Sequence, residues 1–130
     1  YENSLKLSYM DFQRASQRRT SFYHHLLKMF ETCDVLALPV AQVWPFPIEE
    51  RWPRQIGDRT MDTYHRWMEC TIYATLAGLP AISLPAGFHP QKPWPMGIQL
   101  IGKPQGDVEL LQVAASYEAV RGDWLQRRPD

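Results

Sequence analysis

The side chains from which chemistry could start are two cysteines, a serine set in an apolar run, four histidines and one carboxylate–histidine trio. An acyl-transfer nucleophile needs a base within hydrogen-bond reach, and a reactive thiol needs a neighbouring cation or helix N-terminus. Cys33 stands between an expected helix and an expected strand, and Cys70 lies inside an expected helix, neither beside a cation. Both read as inert, partly buried thiols. Ser83 sits between Ile82 and Leu84 without the Gly-x-Ser-x-Gly turn that lifts a nucleophile off a sheet, so packing is the better reading. The His24-His25 doublet points its rings about 100° apart on a helix, with no third metal ligand near. Asp62, His65 and Glu69 share one helical face and could begin a metal or acid–base site. An outer face with a His–Glu contact one turn apart accounts for them more simply. Gly97, Gly102 and Gly106 lack the spacing, and the following Lys-Ser or Lys-Thr, of a phosphate loop. No complete catalytic set, and no metal site, assembles from the residues alone.

The elements that would position such groups are few. With 14 Lys+Arg against 14 Asp+Glu over 130 residues, the chain has no basic field for nucleic acid or an anionic membrane. A hydrophobic content of 45% excludes wholesale disorder, and no apolar run approaches the ~20 residues of a bilayer span. No secretory signal opens the sequence and two cysteines make no disulfide framework, which points to a reduced, cytoplasmic protein. One domain over 1–130 is expected.

A first helix is expected from Asp11 to Glu31, with Phe22, Tyr23, Leu26, Leu27 and Phe30 as its apolar stripe and Arg14, Arg18, Arg19 and Lys28 outward. Val35–Leu38, closed by Pro39, reads as a strand covered on both faces. A second helix is expected from Arg59 to Ala77, ended by a left-handed Gly78 with Pro80 beyond. Ala81–Leu84 and Ile98–Ile101 read as short strands, and Asp107 as the N-cap of a third helix reaching Arg121, ended by Gly122. The expected class is α/β, a small mixed sheet of about three strands with three helices. Between Pro39 and Asp58 neither periodicity survives. Loops of that length are commonly functional, and Trp44, Phe46 and Trp52 within it argue against plain disorder. Those three rings are the candidate substrate-binding residues; equally, they could pack the loop down.

Two stretches are more specific than any single candidate. Ala77-Gly78-Leu79-Pro80-Ala81-Ile82-Ser83-Leu84-Pro85-Ala86-Gly87 is followed by Pro95-Met96-Gly97-Ile98-Gln99-Leu100-Ile101-Gly102, then by Asp107, Leu110-Leu111 and Glu118. In this order and spacing they resemble the C-terminal end of amidase-signature enzymes. Upstream, Ala15 and Arg18 on a helix and Asp34-Val35-Leu36-Ala37-Leu38-Pro39 are similar to that family's preceding helix and strand. The resemblance covers about residues 10 to 121. It departs at Thr75, where the family usually has Asn, and at Ile98, where it usually has Leu.

The resemblance implies the larger α/β/α fold of that family, of which this would be the C-terminal part, and carboxamide cleavage by a Ser–cis-Ser–Lys set. The sequence has no Ser-Ser pair and none of its four lysines lies in a comparable context, so no catalytic residue carries over. The implied partner is a small-molecule amide, with no metal or organic cofactor, no direct nucleic-acid contact and no membrane. A stand-alone, non-catalytic interaction module derived from an amidase is the other reading. Three unguarded apolar strands and helices apolar beyond one stripe predict a homo-oligomer, with a dimer the simplest form.

Overall fold

The computed structural model describes residues 4–121, and the expected Gly122 stop lies outside them. After a 3-10 turn at Ser4–Lys6 comes α1 (Tyr9–Met29), which starts two residues earlier than expected because Ser8 caps it. The Asp11 N–H donates to Ser8 Oγ at 3.2 Å and the Ser8 N–H donates to Asp11 Oδ2 at 2.9 Å. This reciprocal capping box satisfies two otherwise orphaned donors. Strand β1 (Leu36–Pro39) follows.

The segment expected to start the second helix is instead extended. β2 (Gln55–Ile56) and β3 (Arg59–Thr60) form a hairpin about Gly57-Asp58, with Gly57 at φ 58°. The Met61 N–H donates to Arg54 O at 2.8 Å and prolongs the ladder. Met61 is 2% exposed, but it follows this hairpin and lies on no helix. Helix α2 runs only over Glu69–Ala77, after a 3-10 turn at Arg66–Met68. The apparent helical stripe through Met61 and Tyr64 therefore spans two separate structures; Gly57-Asp58 is a two-residue hairpin signal that outranks it.

β4 (Ala81–Phe88), β5 (Pro95–Ile101) and α3 (Asp107–Val120) complete the chain. Gly106, not Asp107, occupies the N-cap of α3. The sheet order is β1-β5-β4, and both ladders are antiparallel rather than mixed. β4 continues through Pro85, which an edge strand tolerates, and bulges between Pro85 and Gly87. That proline and Pro39 each leave one position of an outer strand without an N–H donor, where the sequence reading counted no guarding proline.

Register divides the core. Leu36, Leu38 and Ile101 face α1 and α2, packing with Leu26, Phe30, Ala74 and Leu79. Ile82, Leu84, Ile98 and Leu100 face α3, packing with Leu110, Ala114 and Tyr117. The result is the expected α/β/α layering. Cover is incomplete: Ala37, Ala81, Ser83 and Pro85 remain exposed, so β1 is not buried on both faces. Gln99 is the polar exception, buried at 7% exposure in the central strand. Its Nε2 donates to Pro39 O at 3.0 Å and to Cys70 O at 2.7 Å, joining β5 to the end of β1 and the start of α2.

Gly78 ends α2 at φ 66° and ψ 38°, as the sequence predicts, with nothing within 4 Å of a hypothetical Cβ. Backbone conformation alone is therefore at stake there. Gly78→Val should cost about 1 kcal/mol or more in thermal unfolding, while Gly78→Asn, which tolerates this region, should cost clearly less. Equal melting temperatures for all three proteins would contradict the left-handed cap. Gln99→Leu removes both hydrogen bonds and should lower stability by about 1–2 kcal/mol by denaturant titration.

Candidate functional site

The proline-rich segment is held down by specific bonds. Gln42 Nε2 donates to Arg66 O at 2.9 Å and Trp67 O at 2.6 Å, tying the start of the loop to the turn before α2. Trp52 Nε1 donates to Met61 O at 3.4 Å. Of the three candidate rings, Phe46 and Trp52 are brought into one cluster and Trp44 into another. Phe46 meets Trp67 edge-on at 5.5 Å, Trp67 meets Tyr64 at 6.0 Å, and Tyr64 meets Trp52 at 5.9 Å. The Arg54 guanidinium lies 3.8 Å above the Trp52 ring. Trp44 packs on His89 at 5.0 Å; His89 packs on Trp94 at 5.8 Å, and Lys92 Nζ sits 3.8 Å over Trp94.

Tyr64, Trp67, His89 and Trp94 are not among the residues the sequence leads one to expect here. A signal exists for one of them: Trp44-Pro45, Trp52-Pro53 and Trp94-Pro95 repeat one dipeptide, whose first residue the following proline holds extended. Tyr64 and Trp67 are hidden by the helical pattern that overlies them. Trp67 Nε1 is enclosed and has no acceptor, an uncommon state for a buried donor.

The other candidates are accounted for by structure. Asp62, His65 and Glu69 are organised by Arg66, not by His65. Arg66 Nε lies 2.5 Å from Asp62 Oδ1, and Nη1 lies 3.2 Å from Glu69 Oε1. Arg59 Nη2 reaches Glu69 Oε2 at 3.2 Å, linking the hairpin to α2. The His65 ring instead stands edge-on to Tyr64 at 6.1 Å. His24 and His25 are exposed on α1. Cys33 Sγ donates to Met29 O at 3.2 Å. Burial pushes the Cys70 thiol above its ordinary value, which keeps it protonated and a poor nucleophile near neutrality. Ser83 lines a shallow cavity of about 240 Å³ with Val40, Thr71 and Gln99. Among the described residues no three His, Cys, Asp or Glu side chains converge on a metal position. Nor is any helix long and apolar enough to cross a membrane.

The sequence model of the family described as Amidase matches residues 2–111. The chain belongs to the amidase family. It is 35% identical over 129 residues to a glutamyl-tRNA(Gln) amidotransferase subunit of Chloroflexus aggregans, covering 98% of this chain and 25% of that protein. To the same amidotransferase subunit of Symbiobacterium thermophilum it is 39% identical over 111 residues, covering 84% and 21%. This amidase-family chain therefore spans about a quarter of the length of the curated relatives it matches. Among solved structures, a bacterial aryl acylamidase of the amidase-signature family superposes with a TM-score of 0.83 at 23% identity, over 99% of this chain and 28% of that one. The glutamyl-tRNA(Gln) amidotransferase structure from Thermotoga maritima gives a TM-score of 0.66 at 27% identity, covering 85% and 23%.

Two carboxylates of this amidase-family chain contribute to its response to acid. Hydrogen bonding from the Ser8 side chain, and then from its backbone, holds Asp11 below the ordinary aspartate value of 3.8; hydrogen bonding from Arg66 does the same for Asp62. A carboxyl with a lowered folded value stabilises fully above 3.8, and that contribution is lost as pH falls through the lowered value. The melting temperature should therefore drop below about pH 4, and the double variant Asp11→Asn, Asp62→Asn should show a shallower drop. An unchanged acid limb would contradict these pairings.

Proposed function

We propose that this chain is the C-terminal part of an amidase-type hydrolase that cleaves carboxamide C–N bonds. The observation that carries the reading is the family match over residues 2–111 together with a fold similar, along nearly its whole length, to about a quarter of larger amidase-signature enzymes. In that chemistry a serine oxygen attacks the amide carbonyl, the amine leaves, and water releases the acyl group. The serine and lysine that perform it would lie outside these 130 residues, and this chain contributes no catalytic group.

Its contribution is a wall of the substrate pocket. Phe46 and Trp52 in one ring cluster, and Trp44 in a second, supply flat apolar area on a loop tied to rigid elements, which favours a small amide with an apolar or aryl body. The complete enzyme is read as cytoplasmic. Alone, the chain leaves apolar helix faces open and should self-associate at micromolar concentration, most simply as a dimer, as sedimentation would reveal.

The test replaces the matched quarter of the Chloroflexus aggregans relative with this chain. The 130 residues alone should not turn over aryl anilides, whereas the chimera should. Trp52→Ala and Phe46→Ala in the chimera should raise KM for aryl amides about tenfold, an effect of the size expected for a lost aromatic contact. A well-folded chimera without turnover would favour the stand-alone module instead, and unchanged KM values would remove the rings from the pocket.

A further inference from the structure

Trp52 carries two cations. The Arg54 guanidinium lies 3.8 Å from the centre of its ring, and that of Arg51 lies 5.3 Å away. One buried residue fixes both partners of the closer stack. The Met61 N–H donates to Arg54 O at 2.8 Å, and Met61 O accepts from Trp52 Nε1 at 3.4 Å. Pro53, between the two, is buried as well, and Tyr64 stands edge-on to the Trp52 ring at 5.9 Å. The backbone of the hairpin and of the residue after it thus sets where ring and guanidinium meet.

The charges around this ring do not balance. Arg59 pairs with Glu69 at 3.2 Å, and Arg66 pairs with Asp62 and Glu69. Arg51 and Arg54 enter no ion pair and donate no side-chain hydrogen bond among the described residues. The acids nearest in sequence, Glu49, Glu50 and Asp58, are exposed and beyond ion-pair distance of both. Two like charges on one ring repel, and the ring face offsets that only in part. A guanidinium laid flat on a ring keeps its N–H fork open at the edge and held in one orientation.

We propose that Arg54, with Arg51 beside it, receives a carboxylate of the substrate, so that the amides taken here are apolar or aryl compounds bearing a carboxylate away from the scissile bond. The inference rests on the reading of the chain as a wall of an amidase pocket and names the substrate class of that pocket. A carboxylate accepts two parallel N–H bonds from a planar guanidinium, while Trp52 offers the adjoining apolar body a flat surface. A neutral amide uses the ring alone, and inorganic phosphate uses the charge alone. Selectivity belongs to the molecule that has both.

The test uses the chimera and the 130-residue chain. In the chimera with the Chloroflexus aggregans relative, neutral acetanilide is compared with 4-acetamidobenzoate, anionic on the amine side, and N-phenylsuccinamate, anionic on the acyl side. At least one anionic amide should exceed acetanilide in kcat/KM about tenfold, through KM, and raised salt should shrink that advantage. Arg54→Gln should abolish the advantage and Arg54→Lys, which keeps the charge without the fork, should restore only part of it. Lys28→Gln, which removes the same charge from an exposed position on α1, should leave it intact. In the chain by itself, the NMR signal of the Trp52 indole N–H should move with benzoate, and clearly less with benzamide or inorganic phosphate. In Arg54→Gln it should not move with benzoate. No preference for either anionic amide in an active chimera overturns the proposal, as does a preference that survives Arg54→Gln or is lost equally in Lys28→Gln. So does an indole response to phosphate as large as that to benzoate, which would mark a general anion contact. A chimera silent toward every amide, with the benzoate response intact, keeps the carboxylate site and removes the amidase reading. An active chimera with neither preference nor benzoate response does the reverse, and silence in both overturns both.

Discussion

A single buried amide holds the layers of this chain in register. Gln99 sits in the central strand, and its Nε2 bridges the carbonyls of Pro39 and Cys70. Those two carbonyls belong to the last residue of β1 and to the first turn of α2, so one side chain fixes the exit of one strand and the entry of one helix. A slip of β1 would turn Leu36 and Leu38 to the wrong face of the sheet, and a slip of either element would also break a hydrogen bond from this NH2 group. The positions of the proline-rich loop, which leaves β1 at Pro39, and of the Arg66 network, which leads into α2, follow from that bridge. Gln42 repeats the device one layer out, with its amide shared between Arg66 O and Trp67 O.

The helices are apolar beyond what this sheet can cover. α2 exposes Tyr73 and Leu76, and α3 exposes Val108 and Leu111, although both helices also contribute to the core. The outward face of α1 is different: Arg14, Arg18, His25 and Lys28 follow one another along it, all exposed, as on a solvent-facing surface. One face of α1 is thus charged, whereas α2 and α3 each leave apolar side chains exposed.

Much of this is legible in the sequence, for identifiable reasons. α1 and α3 are readable from their periodicity although their N-caps fall elsewhere than expected, and the Gly78 stop is readable because a left-handed glycine precedes a proline. Both hydrophobic motifs fall on β4 and β5, the longest pair in the sheet. The failures come where one local signal masks another. The period through Met61 and Tyr64 looks helical, but Gly57-Asp58 has already turned the chain into a hairpin whose ladder runs on to Met61. Pro85 looks like a strand end; on an edge strand its missing N–H removes no ladder bond, so β4 passes through it. Gln99 stands in plain view between Ile98 and Leu100, but nothing in its neighbours indicates which two carbonyls it joins, since Pro39 and Cys70 lie 60 and 29 residues away.

The aromatic loop illustrates the limit of reading residue types without contacts. Trp44, Phe46 and Trp52 group together because they are close in sequence, yet the fold separates them. Trp44 joins His89 and Trp94 beside the β4–β5 connection, while Phe46 and Trp52 stand at the two ends of a row completed by Trp67 and Tyr64. The separation has a mechanical origin. A Trp-Pro dipeptide keeps its tryptophan extended, so each such ring projects from the loop and is stopped by the nearest rigid element. For Trp44 that element is the hairpin connection; for Trp52 it is the turn entering α2. The loop is thus anchored to both sides of the sheet-and-helix framework by rings that cannot fold back on one another.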